Sequence, residues 1–150
     1  MARFIAQEDY DMLIKQEIIK LLTAPIEWYN AAKLVRAENT AIDQIKNRIG
    51  KRYDCSLIFT PPAGEPEGAD TRDQWMVTIT IDIALYHLYS QTGMRDIPEH
   101  RANRYQDAID WLKDVGNGTT SANLPELTDE SGEVVSDVRI WGRELNDHKY

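Results

Sequence analysis

The run Trp75-Met76-Val77-Thr78-Ile79-Thr80-Ile81-Asp82-Ile83-Ala84-Leu85-Tyr86-His87-Leu88-Tyr89 constrains this chain more than any other stretch. It leaves almost no polar face, so the rest of the protein must enclose it on all sides. Val77 to Ile81 alternates apolar residues with Thr, as a strand would. The run is longer than an average strand, however, and its second half follows a helical period that stops at Gly93. A buried helix over 73–92 is expected. For a chain of 17.2 kDa, area scaling leaves about 7,800 Å² accessible out of roughly 25,000 Å², enough for one core and too little for two.

The flanking segments supply the partners for that helix. Tyr10, Leu13, Ile14, Ile18, Leu21 and Leu22 recur at three-and-four spacing, which predicts one or two short helices over 7–22, with a kink at Lys15-Gln16. Pro25 ends this segment, because it disfavours helix at Ala24. From Glu27 to Tyr53 an apolar stripe (Trp28, Leu34, Ala41, Ile45, Ile49) predicts a long amphipathic helix. Its last turns carry Lys46, Arg48, Lys51 and Arg52, cations that complement the helix dipole. Cys55 to Phe59 is too short to assign. Ile97-Pro98-Glu99 opens a further helix, whose Tyr105, Ala108, Ile109, Trp111, Leu112 and Val115 face one way and which ends at Gly116-Asn117-Gly118. The chain is thus expected to be all-α: a compact bundle of about four helices, two short N-terminal ones and two or three long ones. It occupies residues 1–118, with an exposed loop at 60–72. Residues 119–150 have few large apolar side chains and are expected to form an extended, flexible C-terminal arm.

Several function classes fall away. Hydrophobic residues at 42% and charged residues at 28% match an ordinary globular chain, not a disordered one. No apolar run reaches the roughly 18 residues of a membrane span, so no membrane partner is expected. Met1 to Asp9 lacks the apolar core of a secretory leader. Cys55 is the single cysteine and has no intramolecular disulfide partner, which suits a reducing compartment. The net charge is −8, distributed as +1 over residues 1–60, −5 over 61–118 and −4 over 119–150. That balance argues against binding duplex DNA by bulk charge.

No catalytic constellation emerges, and no enzyme activity, metal or cofactor is expected. His87, His100 and His148 lie on separate segments with no ligand-pair spacing, and Cys55 has no C-x-x-C partner. Neither dinucleotide nor P-loop glycine patterns occur. Asp107, Asp110 and Asp114 share helical spacing, which more simply describes a solvated face than a cation site. The cluster Lys46, Arg48, Lys51 and Arg52 reads as a solvated helix end. Asp82 interrupts the apolar run, and a buried carboxylate needs a partner. A structural ion pair with Arg101 or Arg104, or with Arg95, is expected. On the arm, Trp141 and Tyr150 are large aromatics with no core of their own, and call for burial against another chain or against the domain itself.

The order of elements carries a resemblance. The helix ending Ile45-Lys46-Asn47-Arg48-Ile49-Gly50-Lys51-Arg52-Tyr53 is followed by a proline-bearing loop, then by Asp82-Ile83-Ala84-Leu85-Tyr86-His87-Leu88-Tyr89, and then by Arg104-Tyr105-Gln106-Asp107-Ala108-Ile109-Asp110-Trp111-Leu112 with Gly118 beyond. Over about residues 3–118 this is similar to the small virion proteins of Mu-like phages and prophages, a family of unknown function. It also resembles the wider group of tailed-phage head–tail connector proteins, also called head-completion or adaptor proteins. Arg139-Ile140-Trp141-Gly142-Arg143-Glu144 is similar to the family's ending, more weakly.

The resemblance implies a structural, non-enzymatic protein of the virion, assembled in the cytoplasm of a bacterial host. It implies a homo-oligomeric ring, of about twelve copies, built from chains that are monomers before docking. The partners it implies are the portal protein above and the next tail-proximal protein below, with DNA passing through the channel without specific binding. Val138, Ile140, Trp141, Arg143 and Tyr150 are then the expected subunit or portal interface. From the residues alone, a helical protein-binding regulatory or adaptor module of prophage or bacterial origin is the alternative.

Overall fold

The computed structural model describes residues 3–23, 27–63, 69–91 and 96–135. Its elements, in chain order, are α1 (Gln7–Leu13), α2 (Gln16–Thr23), α3 (Ala32–Ile49), α4 (Cys55–Ile58), α5 (Gln74–Gln91) and α6 (Glu99–Asn117). The fold is all-α, and β pairing among the described residues is limited to two isolated bridges.

The central element is α5. Met76, Val77, Ile79, Thr80, Ile81, Asp82, Ile83, Ala84, Leu85, Leu88 and Tyr89 are all buried, which no single-faced helix achieves. It packs on α3 along one side and α6 along another, and touches α1 and α2. The Val77–Ile81 alternation is helical. Thr80 turns its hydroxyl inward and donates to Met76 O at 2.7 Å, so its polar group needs no partner outside the helix. Enclosure on all sides overrides the β-branched preference of this half. Trp75 is the exception at the edge: it is half exposed and meets Trp111 edge-to-face at 6.0 Å.

The N-terminal helices break where the sequence indicates, between Ile14 and Gln16. The break re-aims the second helix, so Leu21, which continues the apolar spacing of residues 10–22, points to solvent. The long second helix begins at Ala32, five residues later than its periodicity implies. Trp28 and Tyr29 lie in the preceding turn, and Trp28 stays buried by packing edge-to-face on Tyr10. Cys55 to Ile58 form one helical turn, capped by the Asp54 side chain, which accepts from Ser56 N at 2.9 Å. Pro98 caps α6, and Gly118 closes it with a left-handed φ of 79°.

Residues 119–135, the first half of the segment read as an arm, lie on the domain itself. Asp54 N donates to Pro125 O at 2.8 Å and Leu127 N donates to Arg52 O at 2.9 Å. The Tyr53 hydroxyl accepts from Ala122 N, and Leu124 is buried. The chain beyond α3 leaves unpaired backbone groups at Arg52 and Asp54, and this strap satisfies them. It then folds over Gly132 (φ 82°) into a ribbon in which Thr128 faces Val134.

Candidate functional site

Asp82 faces α6 from the buried surface of α5. Arg104 Nε donates to its Oδ1 at 2.9 Å, and Arg101 Nη1 reaches the same oxygen at 3.4 Å. Arg95 falls outside the described residues. The hydrogen bond to Asp82 raises the Arg104 pKa, although that side chain remains 47% exposed. Arg101 is nearly enclosed at 11%, and its Nε has no partner among the described residues. The trio fastens α5 to α6.

Two further buried charge clusters have no counterpart in the sequence reading. Glu38, on α3, accepts from Tyr10 Oη at 2.6 Å and from Arg3 Nε at 2.9 Å, and pairs with Arg3 Nη2. Burial pushes the Glu38 carboxyl up, against the pull of the Arg3 and Tyr10 hydrogen bonds, and burial pushes the Tyr10 phenol well up too. Arg72 is the hub of the second cluster. It donates to Asp9 at 2.7 and 3.0 Å, to Asp70 at 2.8 and 2.7 Å, and to Phe4 O. Its hydrogen bonds hold the Asp70 carboxyl well below the usual carboxylate range. One signal could have revealed Glu38: it shares the helical face of Leu34, Ala37, Ala41 and Ile45, all buried.

The other candidates stay apart. His87 Nε2 lies 2.9 Å from Gln44 Oε1, and Gln44 Nε2 donates to Tyr105 Oη at 3.1 Å. Partial burial lowers the His87 pKa. His100 is exposed at the start of α6. Burial pushes the half-buried Cys55 thiol up, away from the reactive thiolate. Asp107, Asp110 and Asp114 are exposed, and Asp110 accepts from Gln106 at 2.9 Å. No group among the described residues gathers enough His, Cys, Asp and Glu to hold a metal ion, and no described helix is long and apolar enough to cross a membrane.

The basic cluster at the end of α3 is divided by the fold. Lys46 lies 5.7 Å over the Phe59 ring. Arg48, Lys51 and Arg52 instead line an open cleft of about 800 Å³ between the C-terminal ends of α3 and α6, and Lys113 joins them from α6. Arg52 Nη1 donates to Val115 O at 3.1 Å and so caps a carbonyl of the last turn of α6. Arg48, Lys51 and Lys113 form no ion pair with a described residue. The Arg48 Nε is shut away from solvent with no hydrogen-bond partner among the described residues. Glu126 is the one acid among the described residues of the wall, and Val134 and Val135 add an apolar edge. Two helix ends meet this closely because of Gly116, where a Cβ would sit 2.4 Å from Arg48 O.

Val138, Ile140, Trp141, Arg143 and Tyr150 lie outside the described residues. No curated protein and no solved structure matches the chain. A family model does, and its match runs from residue 4 to residue 138, through every helix, the Asp82 trio and the cationic cleft. The chain belongs to the phage protein family described as Bacteriophage Mu, Gp36.

Proposed function

We propose that this chain is a structural protein of a phage virion, and that copies of it form a ring beneath the portal, extend the DNA channel and join head to tail. The observation that carries this is the family match over residues 4–138, read with the resemblance of the helical order to head–tail connectors. The portal protein and the next tail-proximal protein are the neighbours. Val138, Ile140, Trp141, Arg143 and Tyr150 make the contacts between subunits or with the portal. The assembly forms in the bacterial cytoplasm and stays in the virion. Catalysis, metal and cofactor have no part in this role.

The charge supports the channel role. A net charge of −8 per chain brings about −100 to a ring of about twelve copies, and an acidic wall repels phosphate. DNA slides past such a wall without being held. Negative-stain imaging of particles made without this protein tests the proposal. Full heads without tails, or heads that have lost their DNA, are expected. Normally tailed particles would overturn it in favour of the adaptor module.

A further inference from the structure

The cleft between the ends of α3 and α6 concentrates cations on a chain that is otherwise strongly acidic. Helix capping accounts for Arg52, which holds Val115 O. It does not account for Lys51 and Lys113, both exposed and without an ion pair to any described residue, nor for Arg48, whose buried Nε has no described partner. A group of uncompensated cations facing one cavity attracts an anionic ligand.

The apolar part of the lining narrows the chemistry. Val134 and Val135 are 51% and 45% exposed there. In the ribbon, Asp129 N donates to Glu133 O and Val135 N donates to Leu127 O, both at 2.8 Å. That register turns the N–H and C=O of Val134 away from Thr128. Neither makes a backbone hydrogen bond to a described residue. The cleft therefore combines a cationic wall, an apolar strip and a backbone edge without a partner among the described residues.

We propose that this cleft docks an extended segment of another protein chain in which carboxylates alternate with apolar residues. The carboxylates meet Arg48, Lys51 and Lys113, the apolar residues lie on Val134 and Val135, and the backbone pairs with the Val134 edge. Duplex DNA fits less well. It is a convex cylinder that needs cations spread along an outer surface, and its phosphates would desolvate against the valines without gain. The proposal goes beyond the ring reading, since it rests on residues other than Val138, Ile140, Trp141, Arg143 and Tyr150 and works equally in an adaptor.

Fluorescence anisotropy with the full-length chain tests it, using a short labelled peptide of alternating Glu and Val. A peptide of alternating Gln and Val and a labelled DNA duplex are the comparisons. The Glu-Val peptide binds, more weakly as salt rises, and the Gln-Val peptide binds about tenfold less tightly or worse. Lys51→Glu with Lys113→Glu, both at exposed positions, lowers the Glu-Val affinity by about tenfold or more while circular dichroism shows an unchanged helix content. Val134→Ser, on neither helix, weakens it several-fold even if the double variant does not fold. Equal binding of the two peptides, tighter binding of DNA with the same lysine dependence, or no binding by the full chain would overturn the proposal. Peptide binding lost while tailed particles still form, or the reverse, separates its failure from failure of the ring.

Discussion

Arg72 and Asp9 stand sixty-three positions apart in the chain and meet through two hydrogen bonds, Nη1 to Oδ2 at 2.7 Å and Nη2 to Oδ1 at 3.0 Å. The Arg72 side chain is 3% exposed and that of Asp9 12%. The pair ties the segment before α5 to the first helix, and the same guanidinium also takes Phe4 O. Removing Arg72 leaves the nearly buried Asp9 carboxylate without its cation, with only the Ala6 N–H still donating to it. Arg72→Ala is expected to cost about 3–5 kcal/mol, measured by urea unfolding. A loss below about 1 kcal/mol would mean that water replaces the pair.

The Asp82 trio divides unequally. Asp82→Ala strands Arg101, which is nearly enclosed, and is expected to cost about 3 kcal/mol. Arg104→Ala removes the shorter hydrogen bond, but from a half-exposed side chain, and is expected to cost about 1 kcal/mol or less. A double-mutant cycle on Asp82 and Arg101 is expected to show coupling, read from denaturation midpoints. Additive single effects would show that the 3.4 Å contact carries no energy.

Gly116 sets the distance between α3 and α6 at the cleft. An added Cβ meets backbone, the Arg48 carbonyl oxygen at 2.4 Å, so the helices must part. Gly116→Ala is expected to cost about 1–3 kcal/mol and to weaken binding of the Glu-Val peptide. Thermal melting and anisotropy check the two effects separately.

Leu124 reports whether residues 119–135 belong to the folded unit. It is 9% exposed and lies within the hydrophobic cluster of the helical domain. Leu124→Ala is expected to cost about 2 kcal/mol. A change within about 0.5 kcal/mol, the range of ordinary surface substitutions, would show that this strap adds nothing to the core.

His87 gives a pH dependence. Burial depresses its folded pKa, while the unfolded value is about 6.5. Between the two the unfolded chain binds more protons, so stability falls as pH drops through that window. Urea midpoints at pH 7 and pH 5 are expected to decline for the parent chain and to decline less for His87→Gln. An equal decline in both would assign the effect to another group. At lower pH, Asp70 acts in the same direction. Its folded pKa lies below the unfolded value of about 3.9, so the stability it contributes is present above that value and is lost as pH falls towards the folded one.

Much of the fold is legible in the sequence, for identifiable reasons. The two-piece N-terminal helix, the buried helix at 74–91 and the α6 stop at Gly118 all follow from spacing, turn chemistry and length. The start of α3 does not, because Trp28 keeps the helical period while lying outside the helix. It is held instead by an edge-to-face contact with Tyr10 at 5.9 Å, residues that sequence distance separates. The Asp82 trio combines one visible signal, an acid in an apolar run, with partners that only packing selects. Lys113 carries no signal of its own, since its place among the cations depends on how two helix ends meet.

The sequence by itself determined the all-α class and the central helix, because a run without a polar face has to be enclosed and local period decides how it coils. It also determined the acidic balance and, through its order of motifs, the phage family. Only the tertiary structure decided where charges meet. Arg72 with Asp9, Arg3 with Glu38, and Lys113 with Arg48 and Lys51 are brought together across long stretches of chain, and electrostatic contact depends on distance in space, which no spacing along the sequence encodes. The tertiary structure likewise folded residues 119–135 back onto the domain, because the backbone groups at Arg52 and Asp54 that needed partners lie just beyond the end of a helix far earlier in the chain.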